Sequence, residues 1–559
     1  MKENSLIWVL KQVRNRIPEI LLLTVAQILN ALFSVLFALG TRGVIDSAVS
    51  GDSNAFIMAC LFQMVIIGGI LFSLTLSRHL KDNLSAKLDR DWKQQLLHGL
   101  LHGDYAQVKS YHSAELLNRL NADVAKVNEG LLVLIPGAAA MIMRLTAAVV
   151  ILGVMDARFT MIVTALGLLV VAVTGLLRRH LKEINKLVST HDGRVSGYLQ
   201  EAMEKLLIVQ SMDISEEVEH RASNIMDARY QIQRRRKNIS LMANTGVSLM
   251  FYAAGFFALC WCSWRMLQGQ MSFGSLTAVI QLVNQIQYPV VNLSSVLPQY
   301  IAILASAERL MELESIQGQP QPMKENRDAV YEQMYCILAE NLTFSYDRDK
   351  ILDNADFMLP KGAFAVITGA SGIGKSTLLK MILGVYPPES GEIYLKLDDR
   401  RMALDRSTRK LFAYVPQGNM LLSGTIRDNL TIVKPDAMEN EIREAIYVSA
   451  MDEFLSQLPQ GLDTVLGESG TGLSEGQAQR LAIARAILGG APILLLDECT
   501  SALDEHTEHT VLRRIRALPG RTCIAVTHRP AAISLCDWRL QIESGKIHAV
   551  WVDSRLTDE

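Results

Sequence analysis

Six stretches in the first half of the chain are nearly free of charge. Residues 20–41, 55–77, 159–177, 241–264 and 272–307 hold no Asp, Glu, Lys or Arg, and 131–155 holds only Arg144. Each is long enough to cross a bilayer as a helix, which takes about 20 residues. One such stretch would fit a buried helix of a soluble protein; six in succession do not. The pattern predicts membrane spans at about 18–41, 55–77, 131–155, 159–177, 241–264 and 272–300.

The polar segments between them alternate in length. Spans one and two are joined by 43–54, three and four by 156–158, and five and six by 265–271; the connections 78–130 and 178–240 are long. Arg78, Lys81, Lys87, Arg178, Arg179, Lys182 and the run Arg234, Arg235, Arg236, Lys237 sit at the ends of the long connections, and Lys2, Lys11, Arg14 and Arg16 precede the first span. An excess of Lys and Arg marks the cytoplasmic side. Both termini and both long connections are therefore expected in the cytoplasm, in a multi-pass protein of the cytoplasmic (inner) membrane. Leu96, Leu97, Leu100 and Leu101, and then Leu199, Met203, Leu206 and Leu207, keep helical spacing. The spans should run on as helices, with breaks near 103–113 and 211–215 that could touch a cytoplasmic partner.

Composition agrees. Half of the 559 residues are hydrophobic, and the net charge of -2 gives no basic excess for nucleic acid. Cys260 and Cys262 flank Trp261 in an apolar run and read as small apolar residues rather than zinc ligands. The apolar stretch 21–39 is too long for a secretion signal and no clear small-residue cleavage site follows it, so no removed segment is expected.

The sixth span is polar without being charged. At about 100° per residue, Gln281, Gln285, Tyr288, Asn292, Ser295 and Gln299 share one helix face. Amides and hydroxyls facing acyl chains go unpaired, so this face is expected to line a protein interior or a water-filled passage. Gln281, Gln285, Tyr288, Asn292 and Gln299 are candidate substrate-pathway residues, with Arg144 as a fixed charge nearby. Absence of charge suits a neutral, amphipathic or zwitterionic cargo. The same groups also suit helix–helix hydrogen bonds.

Beyond 307 the character changes. Glu308, Arg309, Glu312 and Glu314 open a polar stretch, and Gly318, Pro320 and Pro322 break any helix. The expected division is a transmembrane domain over 1–307, a linker over 308–333 and a soluble domain over 334–559.

The soluble domain carries the chemistry. An apolar run, 365–368, is followed by Gly369, Ala370, Ser371, Gly372, Ile373, Gly374, Lys375, Ser376 and Thr377, then by a helical pattern. This is a P-loop in its required strand–turn–helix setting. Glycines let the backbone turn its N–H groups around phosphate oxygens, and the helix start adds a positive end. Lys375 can reach the β- and γ-phosphates and Ser376 can hold Mg²⁺. The apolar run Ile493–Asp497 reads as a buried strand ending in an acid that can hold Mg²⁺ or its water. Glu498 follows, placed to orient or deprotonate an attacking water. A strand over 522–527 ends at His528, a donor for the γ-phosphate end.

Leu473, Ser474, Glu475, Gly476 and Gln477, followed by 478–486, resemble the signature of ABC-transporter ATPase domains. The whole chain resembles a bacterial-type ABC exporter half-transporter, with six spans fused to one ATPase domain. That likeness implies a multi-domain membrane protein: an all-α six-helix transmembrane domain of ABC exporter type, then an α/β P-loop ATPase domain. It implies Mg²⁺ and ATP as cofactors, with Tyr346 stacked on adenine and Gln417 joining the Mg²⁺ site to the spans. Gly369, Ser371, Gly372, Gly374, Lys375, Ser376 and Thr377 would bind phosphate, with Ser376, Gln417 and Asp497 around the metal. Catalysis would fall to Glu498, His528, Gln417 and Lys375, and coupling to Glu468 in the segment 464–470. The breaks at 103–113 and 211–215 match the family's coupling helices. Ser474, Gly476 and Gln477 would meet ATP held by a second domain, with Ser501, Ala502, Leu503 and Asp504 as the loop between facing domains. The chain is then half of a dimer, with itself or with a related half-transporter.

Glu475 departs from the family, whose signature usually has Gly there, and a carboxylate turned toward a triphosphate would repel it. The functional expectation is an ATPase-driven translocase exporting a small molecule, lipid or peptide through membrane lipid. The alternatives are an ATP-gated regulator or channel without pumping, and an importer with an exporter-like layout; the intact Glu498 and His528 argue for turnover.

Overall fold

The computed structural model describes residues 5–316, 325–346, 349–418, 421–467 and 472–552; the side chains of 168–183, 243, 247, 287–288, 290–295 and 297–298 also fall outside the description. The chain divides into two compact units, one of Met1–Leu101 with Tyr111–Ser315 and one of His102–Ser110 with Ile316–Glu559.

The first unit is helical. Its six long helices are Ile17–Ser50, Ser53–His102, Ile135–Met155, Ala157–Glu204, Ser215–Leu267 and Phe273–Ser315, and each carries all or most of one of the six charge-poor stretches. Over the described residues, four helical segments are long and apolar enough to cross a membrane; Ala157–Gly167 and Phe273–Ile286 are shorter apolar helices. Helix Ile17–Ser50 packs on Ile135–Met155 and Phe273–Ser315, while Ala157–Glu204 packs on Ser215–Leu267. Small side chains allow the close approach: Ala38, Ala148, Ala258, Cys262 and Ala278 are fully buried in one cluster with Leu152 and Leu282.

The tight joins have local causes. Asp156 caps helix Ala157–Glu204 by accepting from the N–H groups of Arg158 and Phe159, both at 3.1 Å, and also accepts from Trp261 Nε1 at 3.1 Å. Asp46 accepts from the Gly274 N–H at 2.9 Å and the Ser272 hydroxyl at 2.8 Å, tying the end of the first long helix to the start of the last.

The long helix that begins at Phe273 continues to Ser315, through residues placed in a linker on sequence grounds. Its charged end is held by specific partners. The buried Asp123 carboxylate accepts from Ser306 Oγ at 2.9 Å and Arg309 Nε at 2.8 Å, and Arg119 pairs with Glu312 at 3.2 Å. Glu314 accepts from Trp8 Nε1 and from Gln12 Nε2. A buried carboxylate with its donors, Ser306 and two nitrogens of Arg309, is compatible with helix, so the charges mark no break.

The second unit is α/β. Six strands form its main sheet, in the order Lys546–Trp551, Trp538–Glu543, Phe364–Thr368, Thr522–Val526, Ile493–Asp497 and Phe412–Val415; neighbours run parallel except at the Lys546–Trp551 edge. The three central strands, Phe364–Thr368, Thr522–Val526 and Ile493–Asp497, are buried at every position, as strands covered on both faces must be. A second, antiparallel sheet takes the order Asp349–Pro360, Met334–Tyr346, Ser390–Leu397, Arg401–Ala403.

A piece of the first connection belongs to this second unit, although the sequence reading set all of 1–307 in the membrane domain. The short helix Tyr105–Lys109 is capped by Asp104, which accepts from the Ala106 N–H at 2.8 Å. Ala106 packs on the ATPase-side core, and the Tyr105 ring meets Tyr386 edge-on with centroids 6.4 Å apart. The second break is also present: helix Leu206–Ser211 ends in a turn before Ser215, and Leu207, Ile208 and Met212 are exposed there.

Candidate functional site

Three parallel strands bring the site together at their carboxyl ends, where ligands of such sheets bind. Strand Phe364–Thr368 leads into the P-loop and helix Lys375–Ile382. Gly374, at φ 106°, occupies the left-handed region just before that helix, and a Cβ on it would lie 2.1 Å from Ile351 Cγ2. No other residue fits there. The buried Lys375 ammonium donates to the Gly369 and Ala370 carbonyls, both at 2.9 Å, so the loop folds round its own cation. Ser371 and Gly372 are exposed on the loop, and Thr377 is buried.

Asp497, 2% exposed at the end of its strand, is gripped by two hydroxyls. Ser376 Oγ donates to Oδ1 at 2.8 Å and Tyr414 OH to Oδ2 at 3.0 Å. Burial, and then the Asp497 charge, push the Tyr414 phenol upward, so it stays protonated and donates. Glu498 follows with φ 47°, an uncommon conformation for any residue other than glycine; its N–H donates to the Val526 carbonyl at 3.0 Å. Gln417 Nε2 donates to Glu498 Oε2 at 2.8 Å. Lys375, Ser376, Gln417, Asp497 and Glu498 are therefore joined through one another or through the loop. His528 is exposed just past the neighbouring strand and has no hydrogen-bond partner among the described residues. A cavity of about 760 Å³ opens onto Ser376, Tyr414, Gln417 and Asp497.

Tyr346, at the end of its strand, is 39% exposed. It sits edge-on to Phe344 and Tyr386, with centroids 5.0 and 5.6 Å away, and its hydroxyl lies 3.5 Å from Thr377 Oγ1.

The signature residues lie elsewhere in the unit. Ser474 caps helix Glu475–Leu488 in a reciprocal box with Gln477: the Ser474 N–H donates to Gln477 Oε1 at 2.8 Å, and the Gln477 N–H to Ser474 Oγ at 3.3 Å. Glu475 is exposed in the first turn, where a carboxylate suits the helix dipole. A Cβ on Gly476 would lie 2.9 Å from the Ala502 carbonyl oxygen, so glycine lets this helix approach the 501–504 loop.

Sequence reasoning missed three residues. Buried Gln479 bridges the signature helix to that loop, donating to Ser501 Oγ at 3.1 Å and accepting from the Ala502 N–H at 3.0 Å. Arg529, next to His528, donates to the Leu503 carbonyl at 2.7 Å, to the Ser501 carbonyl, and to the buried Glu508 at 3.1 Å. Tyr414 is the third. Its strand pattern gave no hint of a polar task; only its place beside a strand ending in Asp497 could have suggested one.

Of the candidate pathway residues, Gln285 donates from Nε2 to the Ser34 carbonyl at 2.6 Å, and its Oε1 is buried without a partner among the described residues, as is Gln281 Oε1. Gln299 is exposed, and Arg144 lies on helix Ile135–Met155. The side chains of Tyr288 and Asn292, and the whole of Glu468, lie outside the described residues.

Two family models match the chain: "ABC transporter transmembrane region" over residues 20–290 and "ABC transporter" over 352–501. The chain is 35% identical over 312 residues to the mitochondrial iron-sulfur clusters transporter ATM1 of Saccharomyces cerevisiae, covering 54% of this chain and 45% of that protein. It is 34% identical over 284 residues to the alpha-hemolysin translocation ATP-binding protein HlyB of Escherichia coli, covering 50% and 40%. The chain thus spans a little under half the length of these curated relatives. Its fold is similar to the structure of a bacterial Atm1-family ABC exporter with ATP bound, with a TM-score of 0.77, 23% identity, and 96% and 94% of the two chains covered. A membrane region of several spanning helices and a nucleotide-binding P-loop unit, each matched by its own model, make this chain a member of the ABC transporter family.

Proposed function

We propose that this chain is an ATP-driven exporter half: it binds Mg²⁺–ATP at the P-loop, hydrolyses it with Glu498, and moves a neutral, zwitterionic or amphipathic cargo across the cytoplasmic membrane. The observation that carries this reading is the pair of adjacent acids, each already oriented: Asp497 by Ser376 and Tyr414, Glu498 by Gln417. Turnover needs both, a carboxylate at the cation and one beside it for water. On a chain that also carries six long helices, such a site supports a transport reading.

The donors suit Mg²⁺. Ser376 and Asp497 offer hard oxygens, and no cluster of three or more His, Cys, Asp or Glu among the described residues could hold a metal alone. Mg²⁺ is characteristically held by one or two protein oxygens plus phosphates and water. It would neutralise charge on the phosphates. Lys375 would exchange two loop carbonyls for phosphate oxygens, the Gly-rich backbone would donate to the rest, and His528 would reach the γ-phosphate end. The half-exposed Tyr346 ring would stack on adenine.

The working unit in this reading is a dimer, with itself or a related half-transporter. Ser474 and Gly476 lie on a different helix from the P-loop and would complete a partner's ATP site. The exposed Leu207, Ile208 and Met212 fit a contact with the partner's ATPase domain. Glu475 at a helix N-terminus can keep its charge in solvent beside that contact. The sixth-span face, with Gln281, Gln285, Tyr288, Asn292 and Gln299, serves as the cargo pathway with Arg144 at its side, and the basic ends of 78–130 and 178–240 set both termini in the cytoplasm. Glu468 would couple the ATP site to the spans.

The test is purification of the full chain in lipid, with ATPase stimulation screened across lipids, peptides and amphipathic small molecules. Stimulation by one class, absent in Glu498→Gln, is the expected result; no ATP turnover in any lipid or with any cargo would contradict it.

A further inference from the structure

We infer that Tyr414 is a positioning residue for the cation-holding carboxylate: its hydroxyl, 3.0 Å from Asp497 Oδ2, fixes the carboxylate so that the Oδ1 edge, beside Ser376, is the one presented to a nucleotide-bound cation. This rests on the Mg²⁺–ATP reading above.

Asp497 is almost wholly buried, so each of its oxygens needs a donor or a cation. The two donors divide the work. Ser376 gives its single proton to Oδ1 and keeps its lone pairs. Tyr414 gives its single proton to Oδ2 and makes no other hydrogen bond among the described residues. Each oxygen thus accepts one hydrogen bond and keeps a further lone-pair direction, and the Oδ1 edge is the one that lies beside the P-loop hydroxyl of Ser376.

The phenol comes from a rigid place. Tyr414 lies on strand Phe412–Val415, which pairs in parallel with Ile493–Asp497, and Tyr414 stands opposite Leu495. From there the long side chain reaches the strand end two residues further on. A group held on a paired strand positions its partner better than one on a loop. Three residues later on the same chain, Gln417 orients Glu498. One short segment thus holds both acids, the first from a strand and the second from the loop that follows it.

Removing a group that orients a metal-holding side chain characteristically costs roughly 10–100-fold in metal affinity. Tyr414→Phe keeps the ring and its packing and deletes the donor alone. The experiment titrates Mn²⁺ against the full-length protein and a non-hydrolysable ATP analogue, counting free Mn²⁺ by electron paramagnetic resonance. Binding of the same analogue in excess EDTA is measured beside it. Tyr414→Phe should weaken nucleotide-dependent Mn²⁺ binding about tenfold and leave EDTA binding within about twofold of wild type. The Mg²⁺ concentration for half-maximal ATPase should rise, with much of the rate recovered at high Mg²⁺. Unchanged Mn²⁺ affinity overturns the positioning role. So does an equal loss with and without metal, which is the mark of packing. Absence of nucleotide-dependent Mn²⁺ binding in the wild type overturns the Mg²⁺–ATP reading itself, and this inference with it.

Discussion

The side-chain amide of Gln417 donates to Glu498 Oε2 across 2.8 Å, between the ends of two neighbouring parallel strands. The carboxylate next to Asp497 is therefore oriented by a group from the adjacent strand end. Glu498→Gln should keep ATP binding within about twofold and reduce hydrolysis to below about a tenth of wild type, because an amide cannot take a proton from water. Equilibrium binding and phosphate release on the same preparation check it, and turnover above that level would remove Glu498 from the role.

Lys375→Ala acts on binding instead. The buried ammonium already makes two hydrogen bonds with the loop, so its position is set before phosphate arrives. A charge-assisted hydrogen bond is worth about 1.5–3 kcal/mol, so ATP affinity should fall about 10- to 100-fold. Titration with a fluorescent ATP analogue reads it; affinity within twofold of wild type would count against a phosphate-binding lysine.

Gly476→Ala separates packing from chemistry. The added methyl meets the Ala502 carbonyl at 2.9 Å, so the 501–504 loop must move. Such overpacking costs about 1–3 kcal/mol. ATPase activity should drop severalfold while ATP binding at the P-loop holds. Crosslinking across the proposed dimer then reads whether closure is what fails; normal ATPase activity would show that the loop has room to spare.

Arg529→Gln tests the anchor of that same loop. Glu508 is buried and bonded to Thr500 at 2.8 Å and to Arg529 at 3.1 Å. Loss of the cation leaves a buried carboxylate short of a partner, at a cost of about 2–4 kcal/mol. Thermal unfolding of the full chain in detergent should show a lower transition, partly restored in Arg529→Lys; an unchanged transition would mean that solvent replaces the guanidinium.

Much of this site was legible in the sequence for a physical reason. Strands Ile493–Asp497 and Thr522–Val526 are buried on both faces, so they are continuous apolar runs, and the functional groups sit where each run stops. The long helices were legible because acyl chains exclude charge. Tyr414, Gln479 and Arg529 were not: their roles come from partners 83, 22 and 21 residues away, which only the folded sheet brings near. Nor was the helix end at Ser315, since Glu308, Arg309 and Glu312 look like a linker until Arg119 and Asp123 lie beside them.

The sixth-span face makes a separate prediction. Gln285 already bonds the Ser34 carbonyl, which is a helix-joining contact, while its Oε1 is buried without a partner among the described residues. Cysteines at 285, 288 and 292, in a background lacking the native cysteines, should react with a water-soluble thiol reagent, and the reactivity should change when ATP is trapped. Uniform protection in every state, with Gln285→Leu and Asn292→Leu unchanged in stimulated ATPase, would leave these groups as helix-joining residues only.

The most direct measurement of the central claim is uphill transport in sealed vesicles holding the purified chain, wild type beside Glu498→Gln. With a cargo that stimulates the ATPase, the wild type should accumulate it against its gradient only when ATP is present, and Glu498→Gln should not. ATP-dependent movement that runs only down the gradient, and that Glu498→Gln supports as well as wild type, would contradict the account and mark a gated channel in place of a pump.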